Sequence, residues 1–206
     1  GVGSARKSVV LKTKSGHYFV GPDNGQLTLV AESLGIAEVR EIDETKNRLK
    51  NSNESYTFHG RDVYAYTGAR LAAGAISFDE VGPSLPAQVI KIEYQKAVLE
   101  NDIIKGNIPI LDIQYGNIWT NIDKSSFAKL GLKYGDKLHV IIFNEAKKVY
   151  EGIMPYATTF SAVPQGKPLC YVNSLLNVSF ALNQQNFSQQ NKVFSGPEWT
   201  VQIKKQ

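Results

Sequence analysis

Val81-Gly82-Pro83-Ser84-Leu85-Pro86 divides this sequence into two halves that read differently. Two prolines and a glycine within six residues can continue neither a helix nor a central strand. On the N-terminal side, Ser8-Val9-Val10-Leu11-Lys12-Thr13 reads as a strand, Ser15-Gly16 as a turn, and His17-Tyr18-Phe19-Val20 as the returning strand of a hairpin. Turn chemistry over Gly21-Pro22-Asp23-Asn24-Gly25 precedes a helix expected from Gln26 to about Ser33, and Glu38–Ile42 reads as a further strand. Residues 43–56 are polar and read as a surface loop, while Val63, Tyr64, Tyr66, Thr67 and Leu71 are spaced as one buried face of a helix over 61–73. Alternating strands and helices predict an α/β domain, residues 1–84, with its sheet flanked by helices.

On the C-terminal side strand-like runs dominate: 89–94, 108–113, 137–143, 149–153, 169–172, 178–182 and 200–203, with only 125–130 helical. Short strands separated by turns predict a small, mainly antiparallel, β-barrel-like domain over residues 85–206.

Composition narrows the function classes. Of 206 residues, 42% are hydrophobic and 20% charged, ordinary for a soluble globular chain. The net charge of +4 is scattered rather than gathered into a stripe, which argues against a nucleic-acid partner. No apolar run approaches the length of a membrane span. The single cysteine, Cys170, excludes an intramolecular disulfide, suits a reducing cytoplasm, and lies in an apolar run that marks it as a core thiol. His17, His59 and His139 are isolated, so no metal-ligand spacing exists, and no phosphate loop, dinucleotide fingerprint or serine elbow is present.

Three stretches remain that could carry chemistry. Thr57-Phe58-His59-Gly60-Arg61-Asp62 is a polar cluster directly before a helix. It is either a helix start with incidental charges or a cleft histidine at a helix N-terminus, where a neutral imidazole or an anion is favoured. In Asp112-Ile113-Gln114-Tyr115-Gly116-Asn117-Ile118-Trp119-Thr120-Asn121, two aromatics bracket an amide and Gly116 permits close backbone approach. That suits a purine edge and face, and equally a β-bulge among core aromatics. Asn173-Ser174, Ser179 and Asn183-Gln184 interrupt apolar strand material.

Taken in order, Gly1-Val2-Gly3-Ser4-Ala5-Arg6, Phe19–Gly25, Phe58–Asp62, Tyr115–Asn121 and Asn173-Ser174 resemble the SAM hydrolase (SAM hydroxide adenosyltransferase) family, whose fold is shared with the SAM-dependent fluorinase and chlorinase. The resemblance implies hydrolysis of S-adenosyl-L-methionine (SAM) to adenosine and methionine, with SAM as substrate and no separate cofactor or metal. Arg6 and His59 match two members of a catalytic trio. The third, an aspartate, would lie two residues before Gly1, so the chain is expected to lack an upstream segment. Where the fluorinase pattern has Tyr-Ser, this sequence has His59-Gly60, which favours water over halide.

The same resemblance implies substrate contacts. Asp112 falls near the methionine amino group, Tyr115 and Trp119 around the nucleoside, and Asn117 on the adenine edge. Phe160 adds an aromatic wall, Ser174 a methionine-end contact, and Ser179 and Leu182 nucleoside contacts, the latter through its backbone. Leu176-Asn177 departs from the Gly-Tyr usual in relatives. A homotrimer with inter-subunit sites is also implied. A SAM-dependent halogenase and a non-catalytic SAM- or adenosine-binding module are the alternatives.

Overall fold

The computed structural model describes residues 4–206. It divides into two compact units, the first ending at Glu93 and the second beginning at Tyr94.

The first unit is organised by β1 (Ser8–Thr13), whose Val9, Val10 and Leu11 are all fully buried. Burying each such side chain is worth about 1.5–3 kcal/mol. β1 pairs antiparallel with β2 (Tyr18–Pro22) through the expected hairpin. After α1 (Thr28–Leu34), β3 (Ile36–Glu41) pairs antiparallel with the other edge of β1. A short helix, α2 (Glu44–Asn47), follows, then a π-helical turn over Gly60–Ala65 that runs into α3 (Tyr66–Ala72), and finally β4 (Ser84–Leu85) on β3. The sheet order is β2-β1-β3-β4. Because side chains alternate along a strand, Val9 and Leu11 pack with Leu27 and Ala31 around α1. Val10 packs on the opposite face with Ile42, Val63, Ile76 and Val81. Helical elements thus cover both faces of an antiparallel sheet.

Two expectations for this half need correction. Residues 43–56 are not simply loop: Asp43 caps α2, its carboxylate accepting from the Thr45 backbone N–H at 3.1 Å and hydroxyl at 2.6 Å. Asn47 is then buried and donates to the Val81 carbonyl at 2.9 Å. The Val81–Pro86 stretch, expected to end the first domain at residue 84, lies inside the first unit. Gly82, at φ +150, passes so close to Glu41 and Asp43 that a Cβ would sit 2.3 Å from the Glu41 carbonyl oxygen. The chain is thereby led back onto β3 as β4, and Val89 joins the core around Val9.

The second unit contains β5 (Val98–Glu100), β6 (Ile103–Ile108), β7 (Ile110–Asp112), β8 (Asn117–Asp123), α4 (Lys124–Ala128), β9 (Lys137–Asn144), β10 (Lys147–Pro155), β11 (Pro168–Val172), β12 (Asn177–Leu182), α5 (Phe187–Asn191) and β13 (Gly196–Lys205). These form two antiparallel sheets, β10-β9-β13-β6-β5 and β11-β12-β8-β7. They share a core that includes Ile104, Ile118, Phe127, Val140, Phe180, Phe187 and Trp199. Cys170 is fully buried in that core, and burial pushes its thiol pKa up. The expected barrel does not close: each sheet ends in two edge strands that pair with nothing further across the sheet. The run 89–94, expected as a strand, joins no sheet among the described residues. Side chains take its backbone donors instead, Asp23 Oδ1 from Ile90 at 2.8 Å and Thr28 Oγ1 from Ile92 at 3.0 Å. Among the described residues, no helix is long and apolar enough to cross a membrane.

Candidate functional site

In the second unit, the sheet β11-β12-β8-β7 turns one face to the core and the other to a cavity of about 710 Å³. Along β8, Ile118, Thr120 and Ile122 point inward and are buried, which sends Asn117 and Trp119 to the opposite face. Strand register then builds a row across the sheet: Tyr171 opposite Ser179, Ser179 opposite Trp119, Trp119 opposite Ile110. The neighbouring row sets Asn117 opposite Asp112, and the Asn117 amide donates to the Asp112 carboxylate at 3.2 Å.

The β7–β8 turn is tight. Tyr115 and Gly116 both donate backbone N–H to the Asp112 carbonyl, at 3.2 and 2.7 Å. Gly116 adopts φ +72, and a Cβ there would stand 2.0 Å from the Asn186 side chain, so only glycine fits. Tyr115 is left 60% exposed at the cavity rim. Phe160, also exposed, packs its ring 5.1 Å from that of Tyr171. Burial raises the Tyr171 phenol above its ordinary pKa, with the Trp119 indole and Ser179 hydroxyl opposing that rise. Trp119 Nε1 is itself buried and, among the described residues, makes no hydrogen bond of acceptable geometry.

Of the eight residues expected to contact substrate, Asp112, Tyr115, Asn117, Trp119, Phe160, Ser174 and Leu182 line this one cavity. Ser179 does not. It lies in the same cross-strand row but is fully buried beneath neighbouring side chains, accepting from Asn173 Nδ2 at 2.9 Å. Asn173 also lines the cavity and organises the following turn, its side-chain oxygen accepting from the backbone of Leu175 and Asn177 at 2.9 and 3.0 Å. Leu176 in that turn sits at φ +61, the left-handed region that glycine favours. The Leu182 side chain is mostly buried in the core, and its carbonyl already accepts from Gln185 N–H at 3.2 Å. Sequence reasoning missed Tyr171, whose alternation within the 168–172 strand was the available signal, and the amides Gln185 and Asn186.

In the first unit, Arg6 and His59 line a second, smaller cleft of about 250 Å³, together with Glu41, Glu44 and Tyr64. The Gly1–Gly3 part of the motif containing Arg6 lies outside the described residues. His59 is 9% exposed and immediately precedes the π-helical turn. Its ring meets Tyr56 edge-on at 5.5 Å, while Nε2 lies 3.3 Å from Arg48 Nη2 and 3.5 Å from Glu44 Oε1. Nδ1 is buried without a partner among the described residues. Arg61, in the same motif, turns away from this chemistry: it holds the buried Asp62 in a two-point ion pair at 2.6 and 3.0 Å. That hydrogen bonding keeps the Asp62 carboxyl below its ordinary pKa. Sequence reasoning missed Glu44 and Arg48, though their i, i+4 spacing marked them as a pair. No group of three or more His, Cys, Asp or Glu side chains among the described residues is placed to hold a metal ion.

Comparison with known proteins relates both halves of the chain to one family. Residues 1–82 match the SAM hydroxide adenosyltransferase N-terminal domain, and residues 106–200 the C-terminal domain of the same family. A (R)-S-adenosyl-L-methionine hydrolase from Methanocaldococcus jannaschii is 42% identical over 141 residues, 68% of this chain and 45% of that protein. A fluorinase from an Actinoplanes species is 29% identical over 175 residues, 84% of this chain and 56% of the fluorinase. The chain therefore spans about half the length of these curated relatives. A crystal structure of an uncharacterized conserved protein from Thermotoga maritima superposes with a TM-score of 0.86 at 36% identity, covering 99% of this chain and 73% of that one. With both family domains matched in order and a structural relative of this identity and coverage, the chain belongs to the SAM hydroxide adenosyltransferase family.

Proposed function

We propose that the protein hydrolyses SAM to adenosine and methionine, the second unit's cavity binding the substrate and Arg6 and His59 acting on the water. The observation that carries this reading is the convergence of seven substrate-contact candidates on one aromatic and amide-lined cavity. Flat faces from Trp119, Tyr115 and Phe160 suit a purine, and the Asn117 amide suits its polar edge. Asp112 suits the ammonium of the methionine end, and Ser174 a hydroxyl contact there. Ser179 is better read as a positioning residue, since it is covered by its neighbours and its hydroxyl is engaged with Asn173.

The chemistry asks little beyond orientation. A water oxygen attacks C5′ of SAM, the C5′–S bond breaks, and its electron pair neutralises the sulfonium to the thioether of methionine. The leaving group is uncharged, so no general acid is needed. What remains is to hold the water in line and to stabilise developing hydroxide character, which a cation such as Arg6 and a polar imidazole such as His59 supply. The water's second proton passes to solvent, completing adenosine. SAM enters as substrate, with no separate cofactor. A homotrimer with inter-subunit sites and a cytoplasmic location complete the proposal, and light scattering tests the first of these.

Hydrolysis is favoured over halogenation by the higher identity to the hydrolase than to the fluorinase and by His59-Gly60. Incubation with SAM, with and without chloride or fluoride, tests the choice. Adenosine and methionine in equal amounts, indifferent to halide, are expected. A 5′-halogenated nucleoside would replace the proposal with a halogenase, and adenosine binding without any product would leave a binding module.

A further inference from the structure

Arg48 presents a cost that the fold does not explain. Its side chain is only 7% exposed, yet Nε and Nη1 are buried with no hydrogen-bond partner among the described residues. Its single well-made ion pair is with Glu44, Nη2 to Oε2 at 2.5 Å, and its guanidinium stacks 4.1 Å over the Tyr56 ring. Burying a charge this incompletely satisfied is generally less stable than burying an apolar side chain of the same volume. The one further contact of Nη2 is His59 Nε2 at 3.3 Å.

A guanidinium has donors and no acceptor. An Nε2 that meets it must therefore offer its lone pair, which places the imidazole proton on Nδ1. We propose that Arg48 is a positioning residue that holds His59 neutral, with its proton on Nδ1. This rests on the reading of the first unit's cleft as the hydrolytic site. His59 then acts as a neutral hydrogen-bond donor, and not as a general base through Nε2, whose lone pair is occupied. Glu44 supplies the competing state: its Oε1, 3.5 Å from the same Nε2, would accept from a protonated imidazole. The charged and titratable groups around the ring and its cleft are Glu44 and Arg48 on and after α2, Tyr56 from the following loop, Asp62 and Tyr64 from the π-helical turn, and Arg6, Lys7 and Glu41 in the same cleft. Among the described residues, only Arg48 brings a donor to Nε2 within hydrogen-bond distance.

The test is nitrogen-15 NMR of the histidine rings in protein with His17 and His139 replaced by glutamine, so that His59 alone reports within this chain. At neutral pH the native Arg48 protein should show a protonated Nδ1 and a bare Nε2. A protonated Nε2 would overturn the proposal, whatever the variants do. In Arg48→Met the proton should move to Nε2, facing Glu44. An unchanged tautomer in a folded Arg48→Met protein would overturn the proposal. A melting temperature that does not fall would separate positioning from a merely structural role. If the native tautomer is as stated but SAM is not hydrolysed, the proposed function fails and the assignment of Arg48 to His59 stands.

Discussion

The two clefts differ in what they are made of. The cavity on β11-β12-β8-β7 is roomy, lined by aromatic rings and amides, and its polar side chains are already tied to one another: Asn117 to Asp112, Asn173 to Ser179. The cleft around His59 is about a third of that volume and is lined by charged side chains. Behind it lie buried nitrogens without partners among the described residues, on Arg48 and on His59 itself. Trp119 Nε1 leaves the aromatic cavity one such nitrogen too, so the contrast lies in charge: rings and amides suit recognition of a neutral base, whereas charged side chains suit stabilising charge that develops on a reacting group. On our reading the His59 cleft acts on the nucleophile and the cavity on β11-β12-β8-β7 recognises the nucleoside.

The largest effect should come from the charged cleft. His59→Ala is expected to lower kcat by about 10²–10³ while leaving the affinity for SAM within a few-fold. Equal losses in rate and affinity, measured by steady-state kinetics beside a binding titration, would erase the contrast. Next comes the aromatic cavity: Trp119→Ala removes a stacking face and should weaken adenosine binding by about 1–3 kcal/mol. An unchanged dissociation constant would show that the ring serves the fold instead.

A smaller effect concerns the scaffold beneath the cavity. Burial alone would raise the Asp123 carboxyl, but hydrogen bonds from the Ser125 and Ser126 side chains and backbones outweigh it and pull it to about 2. Asp123 caps α4, and Asp123→Ala should cost about 1 kcal/mol in chemical denaturation. Because the folded carboxyl sits below its ordinary 3.8, this stabilisation is present above that pH and is lost as pH falls from 3.8 toward 2. The alanine variant should therefore show a flatter stability profile over that range. The smallest effect is a gain: Leu176→Gly relieves a left-handed backbone and should stabilise by about half a kcal/mol, net of glycine's entropy. A loss of stability there would mean the exposed leucine contributes packing.

The sequence made local elements legible and non-local ones much less so. The β1–β2 hairpin, α1, the helix through 66–72 and α4 all follow from turn residues and periodicity within a dozen positions. α2 escaped because its existence depends on one cap, Asp43, within a polar stretch that otherwise reads as loop. The 89–94 run alternates as a strand does, but whether a strand forms depends on a neighbour, and here side chains occupy its donors. Barrel closure failed as an expectation for the same reason, since it depends on which edges meet.

The site divides likewise. His59 and the Asp112–Trp119 stretch stood out as constellations, but their roles came from family resemblance and not from spacing. Ser179 was assigned to the substrate because a hydroxyl in the right motif does not reveal whether it is open to a cavity or covered by its neighbours. Tyr171 is on the cavity wall only because register places it across Ser179 from Trp119, which no single stretch discloses. Arg48 was hidden by its loop-like surroundings.

The division of labour is tested most directly by calorimetric titration of adenosine into the native protein, His59→Ala and Asn117→Ala side by side. His59→Ala should bind adenosine as the native protein does, and Asn117→Ala about tenfold more weakly, the loss expected for a charge-free hydrogen bond in a closed site. Matching losses in both variants, or a loss confined to His59→Ala, would contradict the assignment of recognition to one cleft and chemistry to the other.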